Sequence, residues 1–141
     1  MTEAPWISTF VAVALIPVAF FFTHAYLSGR ASRPYHVVTG SVGVVWDLSL
    51  SLFYMLYRLF GGEVESNILE ITPSLWIYFA VHGLIAVVVI ALELTMLTTG
   101  FVQWRRKKRI ALHRKVAMPL YALWFAAFIS GEVVYIVYYV L

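Results

Sequence analysis

"SLWIYFAVHGLIAVVVIALELTMLTTG", residues 74–100, contains one carboxylate, Glu93, one histidine, His82, and no lysine or arginine. A helix crossing a hydrocarbon core of ~30 Å needs about 20 mainly apolar residues, and this run is longer than that. It reads as a transmembrane helix. Outward from it lie three more such runs, at about 6–28, 37–60 and 114–140. Four spans take up nearly all of the 141 residues, so the chain is predicted to be one transmembrane domain. The fold class is all-α: a polytopic, up-down bundle of four transmembrane helices.

Composition points the same way. The chain is 62% hydrophobic and 12% charged, with a mean hydropathy of +0.87, against roughly 45–50% apolar and ~25% charged residues in soluble domains. Five Trp and nine Tyr fall largely near the ends of the apolar runs, where amphipathic rings favour the headgroup zone. Cysteine is absent, which excludes disulfides and thiolate ligands. Any metal must therefore be held by His, Met or carboxylates.

The segment after the central run, "QWRRKKRIALHRKVAMP" at 103–119, holds seven of the ten Lys and Arg residues. Nine of the ten lie in the first and third connections, whereas Glu63, Glu65 and Glu70 lie in the second and Glu3 near the N-terminus. By the positive-inside rule, loops 29–36 and 101–113 are predicted to be cytoplasmic, with both termini outside, in a multi-pass plasma-membrane protein. The start "MTEAPW" has no basic n-region, so the first span is expected to be retained. Arg105, Arg106, Lys107, Lys108 and Arg109 would also attract anionic lipids, at ~1 kcal/mol per residue near the surface. The formal charge of +3 is thus topological, and no nucleic-acid motif accompanies it.

Local signals refine the boundaries. Ser32 with Pro34 suggests an N-cap and first turn for the second helix, and "TPS" at 72–74 suggests the same for the third. Pro17 and Pro119 fall inside spans, where they are expected to kink the helix. Gly40, Ser41 and Gly43, and Ser130 with Gly131, suit close helix contacts. Arg58, near the outer end of the second span, is expected to snorkel.

An ionisable group at the bilayer centre costs about 2.5–3.5 kcal/mol on insertion scales, so each one needs a reason. Here they are His24, Asp47, His82, Glu93 and Glu132, with His36 and His113 at the entrances of the second and fourth spans. His36 and Asp47 are eleven residues apart, as are His82 and Glu93, about three helical turns, so each pair shares a face. Counting along the helices places His24, His36, His113 and Glu93 towards the cytoplasmic side. His82 and Glu132 share a level in the outer half, and Asp47 lies between the two layers.

Several chemistries suit such layers. Opposed imidazoles can ligate haem iron from both sides. His with Met55, Met96 or Met118 could bind copper, although the spacing matches no copper motif. Asp47, Glu93 and Glu132 could form a proton or polar network, relay protons or face a quinone. The structural alternative is hydrogen bonding between helices, worth ~0.6–2 kcal/mol each. No hydrolase triad, Gly-rich phosphate loop or H-E-x-x-H motif is present. A transporter is disfavoured, since the halves 1–70 and 71–141 share a hairpin plan but no residue-level repeat.

His82 in "YFAVHGLIAVVV", the "LHRK" at 112–115 and the closing "SGEVVYIVYYVL" together resemble the YozB-like four-helix membrane family of unknown function. The resemblance covers mainly residues 75–141. It implies four spans and inward roles for His82, His113 and His36, the last within "RPYHVV". By analogy of fold to b-type cytochrome and haem-synthase-like bundles, it suggests electron transport or cytochrome oxidase assembly within the respiratory chain. Glu132, Asp47 and His24 are not features of that pattern.

The expected function is therefore a small membrane protein that binds haem b or a similar redox centre, as an accessory or assembly component alongside respiratory complex subunits. His36 and His113 are the preferred metal ligands, with His24 as the alternative and His82 beside Glu132 as a second site. The contrasting expectation is a non-catalytic structural subunit of a larger membrane complex.

Overall fold

The structure, a computed structural model, describes residues 3–64 and 69–141; Glu65 of the acidic connection lies outside the described residues. Four helices follow one another: α1 (Trp6–Arg30), α2 (His36–Leu59), α3 (Pro73–Arg106) and α4 (Ala111–Tyr135), the last running into a π-helical turn at Ile136–Val140. No strand occurs among the described residues. Each of the four is long and apolar enough to cross a membrane. Consecutive helices pair as hairpins, α1 with α2 and α3 with α4, and α1 against α4 and α2 against α3 close the bundle.

Helix ends follow local chemistry. Thr72 caps α3, its hydroxyl accepting from the Leu75 N–H at 3.3 Å, with Pro73 in the first turn where no amide proton is needed. Ser32 plays a different part from the N-cap expected of it. It sits just past the end of α1 with φ +53°, donating from its N–H to Gly29 O at 3.1 Å, while Arg33 N–H reaches Ser28 O at 2.9 Å. That is a Schellman motif. Gly61 closes α2 in the same way, with φ +81° and the Gly62 N–H on Tyr57 O at 2.9 Å.

The third connection is shorter than expected. α3 continues to Arg106 and α4 begins at Ala111, so much of 101–113 is helical and the loop shrinks to 107–110. Gln, Arg and Lys are good helix formers, and cations favour a helix C-terminus. The helix stops where Lys107 turns left-handed at φ +54° and Gln103 Oε1 accepts from the Ile110 N–H at 2.9 Å. Pro17 and Pro119 lie inside α1 and α4.

The core joins Val18, Phe22, Val44, Val89, Leu120 and Trp124 from all four helices. Phe22 meets Trp124 edge-on at 4.8 Å, and Trp124 stacks on Phe128 at 5.1 Å. Gly43 permits this, because a Cβ there would stand 2.8 Å from the Phe22 ring. At Gly40 the nearest side-chain atom, Ala25 Cβ, is 3.7 Å away, an ordinary contact. Large apolar side chains such as Phe20, Trp76 and Leu84 remain exposed on the outer faces.

Candidate functional site

At the end of the bundle that carries the basic residues, two imidazoles meet. His36 opens α2 and His113 lies in the first turn of α4; their ring centroids are 6.0 Å apart and their planes nearly perpendicular, at 82°. Both are half-buried. His36 Nδ1 is 2.7 Å from the carbonyl oxygen of Ala25. A carbonyl only accepts, so Nδ1 carries the proton and Nε2 keeps its lone pair.

His113 reaches the same state by a different route. Its Nδ1 is 3.0 Å from the Thr99 hydroxyl, whose own proton goes to the Thr95 carbonyl at 2.6 Å. Thr99 Oγ1 therefore accepts from Nδ1–H. Nε2 again keeps its lone pair. Nδ1–H bonded to an oxygen is the arrangement that orients metal-bound histidine.

Glycine makes room for both rings. A Cβ at Gly29 would lie 2.7 Å from His36 Cε1 and Nδ1, and one at Gly100 would lie 3.1 Å from His113 Cε1. Each hairpin thus presents a histidine from the start of its return helix, seated on a glycine near the end of its first. The glycines and Thr99 were not singled out from the sequence, and the signal available there was a small residue near each hairpin end.

The other two histidines use the same device elsewhere. His24 is exposed on α1 and bonds Thr39 Oγ1 at 3.0 Å, while Thr39 donates to the Tyr35 carbonyl at 3.1 Å. Its side chain therefore engages α2 at the surface. His82, half-buried on α3, bonds Ser130 Oγ at 2.7 Å, and Ser130 donates to Ala127 O at 2.9 Å. It borders a cleft of about 330 Å³ with Ser74, Tyr78 and Ser130. Glu132 is half-buried one residue beyond Gly131, and the hydrogen bond described for His82 goes to Ser130.

Between these levels lie the two most deeply buried carboxyls among the described residues. Asp47 is 4% exposed and Glu93 is fully buried. Trp124 Nε1–H donates to Asp47 Oδ1 at 2.8 Å, joining α4 to α2, and Asp47 and Glu93 interact directly, α2 to α3. Counting from the predicted span end at residue 100 put Glu93 nearer the basic end and left Asp47 alone in the middle. The continuation of α3 to Arg106 makes that count too short, and Glu93 shares the central level with Asp47.

Imidazole nitrogens of the kind His36 and His113 carry are general ligands for iron and copper. Met55 and Met118 are exposed, and Met96 is partly buried against the core. Among the described residues no group of three or more His, Asp or Glu side chains is positioned as a metal site.

No protein-family model, curated protein or solved structure matches this chain.

Proposed function

We propose that this chain is a small integral membrane protein that holds haem b or a similar redox centre between His36 and His113. The four helices are apolar on faces that no other helix covers, the pattern expected of lipid-facing surfaces. The charge asymmetry of the connections favours both termini outside and the histidine pair at the cytoplasmic side, where Arg105, Arg106, Lys107, Lys108 and Arg109 would meet anionic headgroups. Service to a respiratory complex enters this proposal by analogy of fold with b-type cytochrome bundles.

One observation carries the reading: two imidazoles on different helices stand 6.0 Å apart, each with Nδ1 engaged in a hydrogen bond, which leaves the Nε2 lone pair for a ligand. When bound, the centre would supply one-electron transfer. The chain's own groups hold it: Ala25 O and Thr99 Oγ1 set the tautomers, and Gly29 and Gly100 keep space beside the rings. Absorbance of the purified protein tests this. A Soret band that shifts on reduction and disappears in His36→Ala and His113→Ala is the expected result. A colourless, metal-free protein that reconstitutes with neither haem nor copper rejects it.

A second reading, a structural subunit without a cofactor, is favoured by the same bonds. Each histidine ties the two helices of its own hairpin: His24 and His36 join α1 to α2, and His82 and His113 join α3 to α4. This reading predicts histidine variants of lowered stability in a protein that never binds a chromophore.

A further inference from the structure

The central carboxyls are not needed to hold a redox centre, yet they lie where an ion is costliest. Neither oxygen of the fully buried Glu93 receives a hydrogen bond from a donor among the described residues. What faces it is a second carboxyl, Asp47. Asp47 itself is met by the Trp124 indole N–H from α4 and the Ser51 hydroxyl from α2. The core side chains that α1 brings to this centre, Val18 and Phe22, are apolar. Among the described residues, no Lys, Arg or His acts on either carboxyl.

Two anions side by side in this setting would repel each other without a compensating cation, and Glu93 would be buried with no donor at all. A single proton removes both problems. It supplies the missing donor, turns the repulsion into an O–H···O bond, and leaves one negative charge, which the indole N–H and the Ser51 hydroxyl stabilise. Carboxyl dyads in other proteins hold one proton between them for this reason.

We propose that Asp47 and Glu93 form a proton-binding site at the centre of the bundle, one proton being shared by the two carboxyl groups. Uptake of a second proton makes the pair neutral, and release of it restores the single charge. The site thus stores a proton in the interior of the bundle. It does not depend on the histidine pair holding a cofactor.

Asp47 is the chain's one aspartate, so wild-type protein labelled with 13C at the aspartate side-chain carboxyl reports it without mutation. The full chain in lipid nanodiscs at neutral pH would be studied by 13C NMR and isotope-edited infrared spectroscopy, in H2O and after full exchange into D2O. The expected Asp47 signal is sensitive to deuterium and moves towards that of a plain carboxylate in Glu93→Gln, whose amide donates where the shared proton did. An Asp47 signal matching an isolated carboxylate and indifferent to D2O would overturn the proposal. So would a deuterium-sensitive signal that Glu93→Gln leaves unchanged, because the proton would then belong to Asp47 alone. If Glu93→Gln does not fold, Glu93→Asp with 13C-labelled aspartate serves instead, because its two aspartates are then residues 47 and 93: the expected result is one strong hydrogen bond linking them, and two ionised signals there overturn the proposal.

Discussion

Gly29 on α1 lies so close to the His36 ring on α2 that a Cβ there would stand 2.7 Å from both Cε1 and Nδ1. Gly29→Ala therefore forces the ring off its bond to Ala25 O. The expected cost is about 1–3 kcal/mol, read by thermal unfolding in detergent, together with loss of any bound chromophore. Gly100→Ala meets His113 at 3.1 Å and should cost less. Gly83→Ala, with nothing within 4 Å, should instead stabilise α3, by up to about 1 kcal/mol.

Thr99 fixes the tautomer of His113, which separates a ligating role from a packing one. Thr99→Val leaves Nδ1–H without its hydroxyl acceptor and should weaken binding of a haem or copper ion by about 10–100-fold, measured by titrating the stripped protein. Thr99→Ser keeps the hydroxyl and should bind as wild type does. Equal binding by both variants would show that Thr99 does not orient a ligand.

Trp124→Phe removes the indole donor from a carboxyl that is 4% exposed. Leaving a charged acceptor short of a bond in the interior costs about 1–3 kcal/mol or more. In an Asp47→Leu background, itself destabilised because Glu93 loses its partner, adding Trp124→Phe should cost less than it does in the wild type, because the acceptor is already gone. A double-mutant cycle by chemical unfolding checks this; additive effects would mean the bond contributes nothing.

Gly61 and Ser32 occupy the same left-handed position of two Schellman motifs, with opposite consequences. Gly61→Ala places a Cβ at φ +81° with no neighbour within 4 Å, so the loss isolates backbone strain, about 1–2 kcal/mol. Ser32→Gly relieves that strain at φ +53° and should gain up to about 1 kcal/mol, less the greater freedom of glycine in the unfolded chain. Thermal unfolding of the two variants in parallel checks the opposite signs.

The absence of native cysteine makes topology directly measurable. Single cysteines at Ser32 and Lys108 should resist a membrane-impermeant maleimide in intact cells and react after lysis, whereas one at Gly62 should react in both. The reverse pattern would invert the proposed orientation.

Four helices were legible because apolar runs of spanning length admit little else, and "TPS" with its proline marked the start of α3 as found. The end of α3 was less legible, since arginine and lysine satisfy both a helix terminus and a polar loop, and nothing in "QWRRKK" says where Lys107 turns left-handed. The misjudged level of Glu93 followed from that uncertainty. Ser32 was misread because a serine before proline suits an N-cap, while the same residue also fits the left-handed site that closes the preceding helix.

The residues able to matter were determined by the sequence itself, because hydrocarbon penalises every ionisable side chain and so marks His24, His36, Asp47, His82, Glu93, His113 and Glu132 against an apolar background. Which of them meet was decided by tertiary structure. Helical periodicity sets a residue's face within one helix, but the rotation and axial offset between helices come from packing: Phe22 on Gly43, His36 on Gly29, Trp124 at the centre. Those contacts bring His36 to His113 and Asp47 to Glu93 and leave His24 at the surface, an outcome set by side-chain shape that spacing along one strand of sequence does not encode.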